Sequence, residues 1–374
     1  MVKYILSTTL WILSAVITAA QERPFVLEGS IPNSADKRKA VLIWNNGATA
    51  EEAPVVNGKF TLRGTLEAPA AATLMIQKEK QDSQSQEEMF QNMLSLFIDT
   101  GRILVTTKTT LLAADVTGSK PVKDMASYQR ATASLKNIEL ELNKKYTQYR
   151  TENNDAAMAK ILELYNQLTE LFFLEQKAFV QKNPTSPVSL HMVKEALGYS
   201  LDAAKADPLF ALLQPQLKES NAGKEMAAQI EVGKRSMLGA VAQDFSQPDT
   251  TGAQIALSSL RGKYVLLDFW ASWCGPCRAE SPNLVKAYQN YASRGFTIFS
   301  VSLDQDRKKW IKAIEEDRYT WPQAGDMKGW QNAAARDYGV QGIPFNVLLN
   351  DKGVVIARNL RGDALEKKLK EIFE

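Results

Sequence analysis

The chain has 374 residues, enough for two or three modest domains and too many for one ordinary core. Its 45% hydrophobic and 23% charged residues are those of a folded protein, which excludes intrinsic disorder and multiple membrane spans. With 45 basic against 42 acidic side chains, the net charge of +3 marks no polyanionic partner, so nucleic acid binding is not expected.

Residues 1–20 begin with a single lysine, run apolar from Tyr4 to Ala19, and place the small residues Thr18 and Ala20 ahead of Gln21. This is the pattern of an export signal, with an uncleaved N-terminal membrane anchor and a buried helix as the alternatives. No cysteine follows the run, which rules out a lipoprotein-type lipid anchor. The remainder is expected outside the cytoplasm, in the periplasm or on the outer face of the membrane.

Residues 21–120 carry strand signals from Phe25 to Val116. Phe25, Leu27 and Ile31 alternate around Gly29, "VVNGKFTLRG" predicts a hairpin at Asn57-Gly58, and "FIDTGRILVTT" predicts a second strand pair around Gly101. Together they predict an antiparallel β domain. The polar stretch "QKEKQDSQSQEEMFQNM" predicts a mobile excursion between strands.

Over residues 121–236 the period becomes helical. Leu135, Ile138 and Leu142, then Ile161, Tyr165, Leu168 and Phe172, recur on one face with charges opposite. "NPTSP" interrupts the run, as two prolines should. These helices are expected to form a packed spacer or a dimerisation module. His191, the only histidine, lies among them, remote in sequence from both cysteines, and is expected to be solvated or hydrogen-bonded.

Residues 237–374 alternate strand and helix. A short hairpin over "FSQPDTTGAQIALSSLRGK" precedes the apolar strand "YVLLDFW", of the kind covered on both faces. Then come helices at Pro276 to Ala292, Arg307 to Glu316 and Gly329 to Tyr338, with strands at "FTIFSVS", "FNVLL" and "VVIARN" and a closing helix over "ALEKKLKEIF". This order predicts a mixed sheet flanked by helices, an α/β fold.

Both cysteines of the chain sit in one stretch, "FWASWCGPCRAESP". No others remain for structural disulfides, although an oxidising compartment favours them, so this pair must carry chemistry or bind metal. A zinc site needs four ligands, which two cysteines and one remote histidine cannot supply. Haem attachment needs a histidine after the second cysteine, where Arg278 stands. Peroxiredoxin chemistry normally uses one peroxidatic cysteine in a threonine-containing loop, without this CxxC. No organic cofactor or metal is implied.

Three positions apart at a helix start, Cys274 and Cys277 can reach disulfide distance. At that position unpaired amides and the helix dipole favour an anion, so Cys274 is expected to be the attacking thiolate and Cys277 the resolving thiol. Pro276 suits a first helical turn, where no amide donor is lost. Two carboxylates can take the proton that Cys277 must lose. Asp268 is the only polar residue of its strand, where burial should raise its pKa; Glu280 lies one helical step beyond Cys277.

The residues "DFWASWCGPC" and "GIPFNVLL" resemble the thioredoxin superfamily, and "CRAESP" with the leading hairpin resembles its exported ResA and TlpA branch. The resemblance covers the last third of the chain and implies a thioredoxin-like fold and thiol-disulfide exchange, in the reducing direction given Gly275-Pro276. In the family the position of Asp268 holds a buried carboxylate, and Glu280 matches the glutamate of the CxxCxxE reductases; their division of labour stays open. The resemblance further implies that the Ile343–Pro344 bond is cis and faces the active disulfide, leaving the Ile343 backbone to pair with an extended substrate peptide. Trp273, Gly275 and Pro276 would complete the substrate surface, with Trp270 either framing the site or simply packed. Expected partners are protein disulfides and a membrane thiol carrier that supplies electrons; cytochrome c maturation is one family role. A different expectation is that the N-terminal two thirds form an interaction or homodimerisation module with the redox domain as accessory.

Overall fold

The computed structural model describes residues 23–33, 37–78 and 86–374. The expected export signal therefore lies outside the described residues. The chain divides into two compact units, Met1–Glu152 and Asn153–Glu374. Among the described residues, no helix is long and apolar enough to cross a membrane.

The first unit is built from β1 (Arg23–Ser30), β2 (Arg38–Trp44), β3 (Thr49–Val55), β4 (Lys59–Leu66), β5 (Ala70–Lys78), α1 (Gln86–Gln91), β6 (Met93–Ile98), β7 (Gly101–Thr106), β8 (Asp115–Thr117), α2 (Lys120–Ala131) and α3 (Ala133–Thr151). The strands form two four-stranded sheets, in the orders β4-β1-β7-β8 and β3-β2-β5-β6. Alternating residues turn inward from both sheets, Phe25, Leu27 and Ile103 from one and Leu42, Trp44 and Leu74 from the other, and they share one core. Two glycines make room for cross-strand rings: Phe60 fills the place of a side chain at Gly29, and Phe25 does so at Gly64.

Three local features depart from the sequence-based expectation. Asn57 and Gly58 form the predicted turn, with Val56 and Lys59 hydrogen-bonded across it, but β3 and β4 then run into different sheets. Gly101 turns the chain at φ +93, yet β6 and β7 also separate, and β7 pairs with β1 in parallel. A turn signal is local, whereas the partner of each strand is decided by which apolar face it must cover. Part of the polar excursion is helical, as α1; residues 79–85 lie outside the described residues.

The second unit opens with α4 (Asp155–Lys182), α5 (Pro187–Leu197), α6 (Ala203–Leu212), α7 (Pro215–Lys218) and α8 (Asn221–Lys234). Asn183 ends α4; Ser186 caps α5 by accepting the Val188 N–H, and Pro187 opens that helix without losing a donor. There follow β9 (Ser246–Pro248), β10 (Gln254–Ala256), β11 (Tyr264–Trp270), α9 (Gly275–Tyr291), β12 (Phe296–Ser302), α10 (Arg307–Glu316), β13 (Gln323–Ala324), α11 (Ala333–Asp337), β14 (Phe345–Leu349), β15 (Val355–Arg358) and α12 (Asp363–Phe373). The hairpin β9–β10 stands apart, and the five-stranded sheet runs β13-β12-β11-β14-β15. Its β11–β12 and β12–β13 pairs are parallel; β11–β14 and β14–β15 are antiparallel.

This is a thioredoxin-like mixed sheet, with β11 at its centre and buried from Val265 to Trp270. The helix expected from Gly329 to Tyr338 is split: a 3-10 turn, Gly329–Gln331, precedes α11, whose cap is Asn332. Contacts within this unit also tie the α4–α8 segment and the residues flanking it to α11 and the turn after it. Leu201 packs so closely on Gly339 that a side chain there would meet it at 2.3 Å, and Arg235 lies 3.4 Å from Asp337.

Candidate active site

At the end of β11 the chain must turn from sheet to helix within a few residues. Buried Asp304 pins that turn: it accepts the Ser272 N–H at 2.9 Å, the Ser272 hydroxyl at 2.6 Å and the Ser302 hydroxyl at 2.7 Å. Cys274 then becomes the N-cap of α9, its Sγ accepting the Cys277 N–H at 3.2 Å. The two sulfurs are bonded to each other, with Cα atoms 5.2 Å apart. Gly275 and Pro276, in the first turn, are exposed, whereas the cysteines are only 5% and 3% exposed.

Arg278 clamps the same turn from outside. Its Nε and Nη2 bond Asp317 at 2.5 and 2.8 Å, Nη2 also reaches Glu316, and Nη1 donates to the Ser272 carbonyl at 3.4 Å. Asp317 accepts the Ser281 hydroxyl at 2.8 Å, and Ser281 lies 2.5 Å from the Tyr319 hydroxyl. The paired carboxylates raise the Arg278 pKa, chiefly through the Asp317 bonds.

Asp268 lies in a buried polar row that crosses the sheet at one register: Asn346 on β14, Asp268 on β11, Ser300 on β12 and Gln323 on β13. Burial pushes its pKa from 3.8 up to about 7; the Ser300 hydrogen bond and Arg361 pull downward, and Glu280 adds to the rise. Trp321 fixes Ser300 by donating to its hydroxyl at 2.9 Å. Glu280 is held differently. Its Oε1 accepts the Gly362 N–H at 2.7 Å and its Oε2 the Asn283 amide at 3.0 Å, so it joins α9 to the start of α12 rather than standing free on a helix face.

The Ile343–Pro344 bond is cis. Because Phe345 pairs with Phe269, this bond and the cysteine turn leave the sheet at the same end. Arg361 donates to the Pro344 carbonyl, and Asn346 holds the Arg361 loop by two reciprocal bonds with Leu360, 2.8 and 2.9 Å. Trp270 is packed, not displayed: it is 1% exposed, donates to Gln323 at 3.2 Å and meets Tyr319 edge-on at 4.9 Å. Trp273, by contrast, is 56% exposed, with its ring 6.2 Å from that of Trp330. His191 belongs to α5, where Nε2 lies 3.6 Å from Glu195 and burial lowers its pKa.

A redox-closed cysteine pair at the cap of the first long helix of a thioredoxin-like sheet defines the class: a thiol-disulfide oxidoreductase. The comparisons agree. The AhpC/TSA family matches residues 238–358, and a domain of unknown function, DUF4369, matches residues 25–125. The thioredoxin-like protein YneN of Bacillus subtilis is 38% identical over 121 residues, 31% of this chain and 68% of that protein. Thiol-disulfide oxidoreductase ResA of Geobacillus thermodenitrificans is 30% identical over 137 residues, 37% of this chain and 76% of that protein. Among solved structures, the thioredoxin domain of a thiol-disulfide oxidoreductase from Bacteroides vulgatus is 36% identical, with 37% of this chain and 99% of that one covered and a TM-score of 0.35. The chain belongs to the thioredoxin-like thiol-disulfide oxidoreductases of the ResA kind, with a DUF4369-type β domain in front.

Proposed function

We propose that the protein is exported and reduces disulfides in other polypeptides through a mixed disulfide. The observation that carries this reading is the Cys274–Cys277 bond closed at the N-cap of α9. In the reduced protein the Cys274 thiolate, favoured by the amide groups of the helix start, attacks one sulfur of the substrate and expels the other as a thiolate. The Cys277 thiolate then attacks Cys274 Sγ, closing the intramolecular disulfide and releasing the second substrate thiol. Two electrons pass to the substrate, and the oxidised pair seen here is the state left after one turnover.

Cys277 must lose a proton before it attacks. Asp268, with its pKa near 7, is the acceptor best matched to that step; Glu280, engaged with Gly362, supports it by electrostatics and position. Among the described residues none hydrogen-bonds the Ile343 backbone, which supports pairing there with an extended substrate strand. A membrane thiol carrier would return the two electrons, and residues 1–20 would direct export. The pre-reduced full chain, mixed with a disulfide-bonded peptide, should release two peptide thiols for each Cys274–Cys277 bond formed; no release would defeat the reading.

A second reading, homodimerisation through the helical region, is favoured by α4, which leaves Leu162, Leu164, Leu171 and Leu174 exposed.

A further inference from the structure

Trp330 was not singled out by any motif, yet its ring stands beside Trp273, the residue before Cys274. Both are about half exposed, 49% and 56%, although tryptophan is a side chain whose large apolar area favours burial. Two such rings in contact, one of them on the residue before Cys274, make a continuous exposed apolar surface.

The turn that carries Trp330 is held without help from its ring. Asp326 accepts the Lys328 N–H at 3.0 Å, the Ala333 N–H at 3.2 Å and the Asn332 amide at 2.9 Å. Asn332 is itself buried and locked to Gln247 by reciprocal amide bonds of 2.9 and 3.0 Å. Met327 and Gly329 take left-handed backbone at φ 57 and 59, conformations that cost energy for methionine. A polar scaffold anchored on buried Asn332 and Gln247 thus presents an exposed aromatic residue beside Trp273.

We propose that Trp273 and Trp330, paired ring to ring, form an exposed apolar platform for an aromatic or large aliphatic side chain flanking the target cysteine of a polypeptide substrate. The inference rests on the reductase reading and specifies its substrate class. The occupant follows from position: Trp273 is bonded to Cys274, so a group resting on the paired rings must be carried close to the sulfur under attack. A polypeptide with an apolar neighbour to its cysteine satisfies this requirement.

The test uses the reduced full chain and two synthetic disulfide-bonded peptides that differ only in Phe or Ser beside the cysteine. The wild-type protein should favour the Phe peptide by about five- to tenfold in kcat/KM, mainly through KM. Trp330→Ala should bring that ratio close to one, and Trp330→Phe should keep most of it. Because the ratio is taken within one protein, a loss of folded material does not alter it. A wild-type ratio of one, or a Trp330→Ala variant that keeps the wild-type ratio, overturns the platform while leaving the reductase intact. Failure of the wild-type protein to reduce either peptide overturns the reductase reading and the platform with it.

Discussion

Ser300 donates its hydroxyl to Asp268 Oδ2 at 3.3 Å, across the parallel strands β12 and β11. That single bond is weak compensation for a carboxylate so deeply buried, which is why its pKa climbs from 3.8 to about 7. Since folding favours the protonated form, its stabilising contribution is complete below pH about 4 and is lost as pH rises through about 7. Asp268→Asn should therefore make the oxidised protein more stable at pH 8, by up to about 4 kcal/mol, with the gap closing toward pH 4. Denaturant unfolding at the two pH values checks this. In the same variant, resolution of the mixed disulfide should slow about tenfold or more and lose its inflection near pH 7. An unchanged profile would move the proton to Glu280.

Cys277→Ala should leave mixed disulfides trapped on Cys274, visible on non-reducing gels and identifiable by mass spectrometry after reduction. The variant Cys274→Ala, which keeps Cys277 as its one cysteine, should trap none. Equal trapping by Cys274→Ala would remove Cys274 as the nucleophile.

Asp317 fastens the start of α9 through Arg278 and Ser281, and its side chain is only 12% exposed. Asp317→Asn should destabilise the protein by about 2 kcal/mol, because it leaves the guanidinium without its main counter-charge. Thermal unfolding measures it; a change within error would mean that solvent replaces the pair.

The exposed leucines of α4 predict a dimer in solution that Leu171→Glu with Leu174→Glu converts to monomer. Light scattering coupled to chromatography distinguishes the two states. A wild-type monomer would dismiss the second reading.

The central sheet and the cysteine cap were legible because their signals are local. An apolar run such as Val265 to Trp270 has few alternatives to a buried strand, and a CxxC with Pro276 at a helix start fixes its own geometry. What stayed hidden depends on distant partners. Asp304, Asn346 and Arg361 look ordinary in sequence, and only the sheet register and the loop after β15 bring them to the cysteine turn and to Pro344. Glu280 was legible as a candidate but not as the partner of Gly362, more than eighty positions along, and the parallel pairing of β1 with β7 was hidden for the same reason. Trp330 carried one usable signal: an isolated aromatic in the polar segment "DMKGWQN", where burial gives no reason for it.

Exchange at this site depends most on an acidic thiol at position 274. The direct measurement is the alkylation rate of the reduced protein against pH, with Cys277→Ala used to isolate Cys274. The midpoint should fall clearly below the value of about 8.5 for a free cysteine, since the α9 amides stabilise its thiolate. A midpoint at or above that value would contradict it.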